Sequence, residues 1–144
     1  MKRFIRCICL ILVVSTMLGT VAFAAESRAS SFFTKYSVYL YRESSTSRTF
    51  QVWFDVLATR TMTELGASTI KIQRSSDGVN WTTMKTFSKD DYSQMICSNT
   101  ARHATYVTYT GLKDYYYRAY VELYAKDSTG TAYMPAYTSK IQLP

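Results

Sequence analysis

From Tyr115 to Lys126 the chain reads YYYRAYVELYAK, with five tyrosines in twelve residues. The stretch has a period of two. Tyr115, Tyr117, Ala119, Val121 and Leu123 fall on one side of an extended backbone. Tyr116, Arg118, Tyr120, Glu122 and Tyr124 fall on the other. A helix would bring residues three and four apart together, so this period demands a strand with one apolar face and one amphipathic face. The first face reads as core. The second, Tyr116, Arg118, Tyr120 and Tyr124, is the candidate contact surface, because tyrosine offers flat amphipathic area at low entropic cost.

The same period recurs elsewhere. Tyr36–Tyr41 alternates, and so does Thr49–Leu57, with Phe50, Val52, Phe54 and Val56 inward and Trp53 and Asp55 outward. Ile70 and Ile72 alternate with Lys71 and Gln73 before Ser75-Ser76-Asp77-Gly78, a hairpin turn in which Gly78 is free to take positive φ. In the return strand, Val79–Phe87, a two- or four-residue loop turns Trp81 inward beside Ile72, which is the expected facing, and a three-residue loop turns it to the face of Gln73. Met62 and Leu65, three apart in TMTELG, predict one helical turn closed by Gly66. Ser88–Thr105 has no clear period, and Met95 and Ile96 are expected to tuck beneath it. Tyr106–Tyr109 is a short strand. Asp127-Ser128-Thr129-Gly130 is a second turn, and a last strand ends near Leu143. About seven short strands and no long helical period predict an all-β antiparallel sandwich.

The N-terminus carries a different signal. Lys2, Arg3 and Arg6 precede the apolar run Cys7–Leu18, and Val21-Ala22-Phe23-Ala24 ends in a small-x-small site. This is the pattern of a cleaved secretory signal peptide over residues 1–24, with cleavage after Ala24 or Ala25. The apolar run is short for a bilayer span of about 20 residues, so no stable membrane insertion is expected after cleavage. Arg6 before Cys7 excludes a lipobox. Residues 25–144 then form a single domain, with its core at about 36–143.

The whole chain carries +7; the signal region holds three of those charges, leaving +4 spread from Arg28 to Lys140. Export and the absence of a basic cluster argue against nucleic acid. Cys7 and Cys9 leave with the signal, so Cys97 has no partner for an internal disulfide. A buried thiol in a monomer is expected, with a Cys97-linked dimer as the alternative.

Several chemistries lack their residues. His103 is the sole histidine, and Cys97 with His103 is too few ligands for zinc. The two lie six apart in a polar stretch with no group to orient them as nucleophile and base. Asp90-Asp91 has no apolar wall to raise a carboxyl pKa. SSDGVNW is one residue short of the S-x-D-x-G-x-x-W Asp box and occurs once. No catalytic, cofactor or metal residues are assigned, and an enzyme is not expected.

Gly111-Leu112 followed by Tyr115-Tyr116-Tyr117-Arg118-Ala119-Tyr120-Val121 resembles the connection into strand F of a fibronectin type III domain, within the immunoglobulin-like sandwiches. SSDGVNW resembles that family's C to C′ turn. With TMTELG, the chain is also similar to a small family of bacterial secreted proteins of unknown function. The resemblance covers about Tyr36–Leu143. It implies a binding or spacer module in which Tyr117 or Tyr115 takes the corner position. The functional expectation is a secreted, non-catalytic extracellular module that binds a glycan, the cell wall or a protein. A structural or accessory envelope protein without a ligand site is the alternative.

Overall fold

In a computed structural model, which describes residues 31–144, the chain is all-β and antiparallel. The expected signal peptide lies outside the described residues. The strands are β1 (Phe33–Tyr41), β2 (Thr49–Ser75), β3 (Thr82–Ser88), β4 (Ile96–Thr110), β5 (Tyr116–Asp127), β6 (Gly130–Tyr137) and β7 (Ile141–Gln142). A 3-10 turn, Ser93–Met95, precedes β4. All seven strands join one hydrogen-bonded sheet, which curls into a half-barrel.

Strand β2 organises the sheet. Its 27 residues would span about 90 Å if straight. Its first half pairs with β1 on one edge and β4 on the other, as in Tyr39↔Trp53 and Trp53↔Tyr106. Its second half pairs with β3 and β5, as in Ile70↔Phe87 and Ile70↔Val121. Strand β5 in turn pairs with β6 and β7. The chain thus carries one strand through two different sets of neighbours, and the curl follows from that exchange.

The helical turn expected at TMTELG is not there: Thr61–Gly66 is strand. Two register shifts explain the misleading spacing. One lies between Leu57 and Met62 against β4, the other between Ala67 and Thr69 against β5. Each inserts extra residues, bends the strand and resets which face points inward. Leu65, Gly66, Ala67 and Ser68 are therefore all buried in succession, because the strand changes neighbours there. Gly66 is required by contact rather than by a turn. A Cβ at this position would stand 1.9 Å from the Met95 carbonyl oxygen.

Ser88–Thr105 is also more regular than its sequence indicates. It holds the 3-10 turn and most of β4. Strand β4 lies at an edge and leaves Ser98, Asn99, Arg102 and Ala104 exposed, so little apolar alternation marks it. Met95 is fully buried and Ile96 half-buried. The last strand is broken. Thr138 leaves the ladder after β6 and is held by Ala119, whose N–H donates to its Oγ1 at 2.9 Å. Tyr137 consequently faces out while Leu143 is buried.

The core lies between the two arms of β2. Phe50, Val52, Phe54 and Val56 meet Ile70, Ile72, Tyr117, Ala119, Val121 and Leu123, all buried. Burying aliphatic and aromatic side chains of this kind contributes about 1.5–3 kcal/mol each. At one end Phe50, Tyr109 and Tyr117 form an aromatic trio, with centroids 5.4–6.0 Å apart. The Tyr117 hydroxyl accepts the Leu112 N–H at 2.9 Å, closing the connection into β5.

The two turns are tied by carboxylates. Asp77 accepts bonds from Ser75 Oγ and from the amides of Val79 and Asn80, while Gly78 takes φ +73°. These bonds, the Ser75 hydroxyl foremost, hold Asp77 far below its ordinary pKa. Asp127 binds Thr129 and, across the sheet, Arg60 Nε at 2.8 Å. The Thr129 hydroxyl first, and Arg60 after it, lower its pKa to about 2. A carboxyl depressed by folding contributes stability that is present above its unfolded pKa and lost as pH falls through the folded one. Wild-type melting temperature should therefore fall between about pH 4 and pH 2, and Asp127→Asn should flatten part of that slope. An unchanged acid slope in the variant would show that Asp127 contributes nothing to it.

Candidate functional site

Alternation along β5 is observed as expected, but its outward row is not a free surface. Tyr116 is half-buried, with Lys140 Nζ 5.2 Å from its ring centre. The Arg118 guanidinium lies 4.3 Å from the Trp81 ring centre and 4.9 Å from that of Tyr137. Its Nε donates to Gln73 Oε1 at 2.8 Å. Tyr120 meets Tyr137 edge-on at 5.2 Å and carries Lys71 at 5.6 Å. Burial, with Glu122 beside it, raises the Tyr120 phenol pKa. Tyr124 is only 4% exposed. It lies between Tyr133 and Lys89, and its hydroxyl leads Lys126 and Lys89 in lowering the Glu64 carboxyl.

Trp81 is thus on the outer face, opposite to the expected inward position. The turn after Ser75 runs through Asn80 and Trp81 before β3 begins at Thr82, and a further shift falls between Ile72 and Gln73. Together these carry Trp81 to the side of Gln73 and Arg118. Cation–π attraction is worth about 0.5–1 kcal/mol at exposed sites and more where water is excluded. Arg118→Ala should therefore cost about 1–2 kcal/mol, while Arg118→Lys should recover only part of it, because an ammonium cannot lie flat on two rings. Equal stability of all three proteins in denaturant melts would show that the stack is incidental.

A second aromatic row lies on the outer face of β1, β2 and β4. Tyr39, Trp53 and Tyr106 occupy one cross-strand register. Tyr39 and Trp53 rings are parallel within 2° at 6.3 Å, and Trp53 and Tyr106 are 4.5 Å apart. Trp53 Nε1 donates to Gln51 Oε1 at 2.7 Å, which fixes the indole. Tyr39 is 46% and Tyr106 40% exposed. Each member alternates outward in its own segment of sequence, but only the strand pairing brings them together.

Beside this row, Asp55 accepts from Arg102 Nε at 3.1 Å and Nη2 at 2.6 Å. Those bonds, outweighing the opposing effect of burial, lower the Asp55 pKa. A hollow of about 300 Å³ here is lined by Lys35, Tyr36, Ser37, Asp55, Leu57 and Arg102.

Cys97 and His103 are not a pair. His103 Nε2–H donates to the Gln94 carbonyl at 2.9 Å, and its ring packs edge-on against Phe54. Cys97 is free and half-exposed rather than buried, because it sits on the edge strand β4. Among the described residues no three His, Cys, Asp or Glu side chains gather to hold a metal, and no helix is long and apolar enough to cross a membrane.

No family model matches the chain. No curated protein matches it. Among solved structures it is similar to the solution structure of a protein provisionally assigned to the late embryogenesis abundant class. The TM-score is 0.48 at 10% identity, over 94% of this chain and 88% of that one.

Proposed function

We propose that the protein is an exported, non-catalytic module that binds an extracellular glycan, cell-wall or protein partner on a fibronectin type III-like sandwich. The sandwich reading is supported by the strand pairing. Immunoglobulin-like folds divide into an A-B-E set and a C-F-G set, joined through a tyrosine corner at the start of strand F. Here β1, the first half of β2 and β4 correspond to the first set, and β3, the second half of β2, β5 and β6 to the second. Tyr117, bonded to the Leu112 amide five residues upstream, takes the corner position.

The observation that carries the binding reading is the exposed row Tyr39, Trp53 and Tyr106. Exposed aromatic rows with polar neighbours are features of contact surfaces. The β5 row Tyr116, Arg118, Tyr120 and Tyr124 serves mainly the sheet itself, and only its β6 neighbours Tyr133 and Tyr137 add exposed rings. That internal pairing is what favours the second reading, a structural or accessory envelope protein.

The test is retention of the protein on cell-wall and partner-protein beads, with the secreted product identified by intact mass. Loss of about 24 residues is expected. Tyr39→Ser with Tyr106→Ser should abolish retention while leaving the melting temperature within a few degrees. Tyr116→Ser with Tyr120→Ser should instead lower the melting temperature. Absence of retention by the folded wild type would reject binding and leave the structural reading.

A further inference from the structure

The outer face of β1, β2 and β4 is built in rows that run across the strands. Tyr39, Trp53 and Tyr106 form one row; Ser37, Asp55 and Ala104 the next; Lys35, Leu57 and Arg102 the third. Same-face rows lie about 6.6–6.8 Å apart along a strand, and two strand spacings span about 9–10 Å. Between the long side chains of the outer rows, the short Ser37 and Ala104 leave a floor. The hollow of about 300 Å³ opens between the second and third rows, lined by Lys35, Tyr36, Ser37, Asp55, Leu57 and Arg102, with the aromatic row next to it. That is the lower end of the size of ligand sites.

Three features set the chemistry of an occupant. Along one side, next to the hollow rather than lining it, runs the aromatic row, in which Trp53 is tied to Gln51 and packed between Tyr39 and Tyr106, so that Tyr39 and Tyr106 are its exposed rings. The opposite side is polar and planar. Arg102 has five N–H donors and spends two of them on Asp55, and each Asp55 oxygen keeps acceptor capacity. The charge of Arg102 is answered by Asp55, so the pair presents directional donors and acceptors with little net charge, while Lys35 at the rim leaves the hollow as a whole with one positive charge, which is why an anionic sugar belongs in the test. A phosphate or nucleic acid would meet the Asp55 carboxylate. A protein partner would more often meet an interface core depleted of charge. A sugar ring matches both walls. Its C–H face covers an indole or phenol ring, and adjacent hydroxyls each donate and accept one bond, as a planar guanidinium–carboxylate pair requires.

We propose that this trough binds an uncharged pyranose oligosaccharide, stacked on the exposed Tyr106 at the edge of Trp53 and hydrogen-bonded by Asp55 and Arg102. The proposal rests on the binding reading above and names its ligand class. The narrow span across three strands suits a short saccharide segment. Trp53 is then both a contact and a reporter.

The test uses the protein with Trp81→Phe, which leaves Trp53 as the one emitting indole. Cellohexaose, chitohexaose and maltohexaose are titrated, with oligogalacturonate as the anionic comparison. At least one neutral sugar should change Trp53 emission saturably. In calorimetry on the otherwise unmodified protein, Tyr106→Ala and Asp55→Asn should each weaken that binding by about tenfold or more. Tyr133→Ser, on the far face, should leave it unchanged. No response to any neutral sugar by the folded protein would overturn the proposal. So would a response to oligogalacturonate alone, or equal binding by Tyr106→Ala and Asp55→Asn. Retention on wall or partner beads without a sugar response would remove this site and leave the binding reading standing. Loss of both would remove both.

Discussion

Tyr117→Ala should be among the most damaging single substitutions in the chain, costing about 3–5 kcal/mol. The side chain is 1% exposed, and its residue in β5 pairs with Arg74 of β2 on one side and Ile141 of β7 on the other. Phe50 and Tyr109 pack against its ring, and a Cβ on Gly111 would come within 2.6 Å of its Cζ. Truncation therefore leaves a cavity that the rigid backbone cannot collapse to fill. It also strands the Leu112 amide. Tyr117→Phe separates the two effects, since it keeps the ring and removes only the hydroxyl, at about 1 kcal/mol. Denaturant melts of both variants give the comparison. A Tyr117→Ala protein within about 1 kcal/mol of wild type would contradict this packing, and equal losses in the two variants would show that the hydrogen bond rather than the ring governs the connection into β5.

Gly66→Ala is expected to cost about 3 kcal/mol despite adding a single methyl group. The methyl would be placed 1.9 Å from the Met95 carbonyl oxygen and 3.1 Å from the Ile96 Cα, both of them backbone atoms. Backbone cannot swing aside as a flexible side chain can. Relief requires the 3-10 turn to move off β2, which would uncover Met95. The Gly66↔Ile96 pairing would be lost with it. Gly130→Ala is the comparison, because a Cβ at this exposed first residue of β6 meets nothing within 4 Å and only the backbone strain of φ +152° remains. Thermal melts should show a large drop for Gly66→Ala and a smaller one for Gly130→Ala. A Gly66→Ala protein as stable as wild type would mean that the turn before β4 is not tied to β2 as described.

The two substitutions mark the boundary of what the amino-acid order reveals. Period-two alternation at Phe50–Val56, Ile70–Ile72 and Tyr115–Leu123 is local, and it assigned strands and inward faces that the structure keeps. Tyr117 was identifiable as inward from that period alone. The two turns were equally legible, since Asp77-Gly78 and Asp127 to Gly130 carry their bonding partners within a few residues. What the order could not convey was pairing. Gly66 read as a helix stop because its reason, the Met95 carbonyl, lies in a distant segment. Met62 and Leu65 imitated a helical spacing because bulges, set by the neighbours of β2, shifted the register. Trp81 changed faces for the same reason. The outward tyrosines of β5 were found, but not that Lys140, Trp81, Tyr137 and Lys89 would engage them. Of the Tyr39, Trp53 and Tyr106 row only Trp53 was legible as outward, and the three share a surface because β1 and β4 flank one half of β2. Local alternation decides which way a side chain points, because strand geometry is a property of a few consecutive residues. Which side chains then share a surface is decided by long-range strand pairing, whose cost and gain belong to the whole sheet.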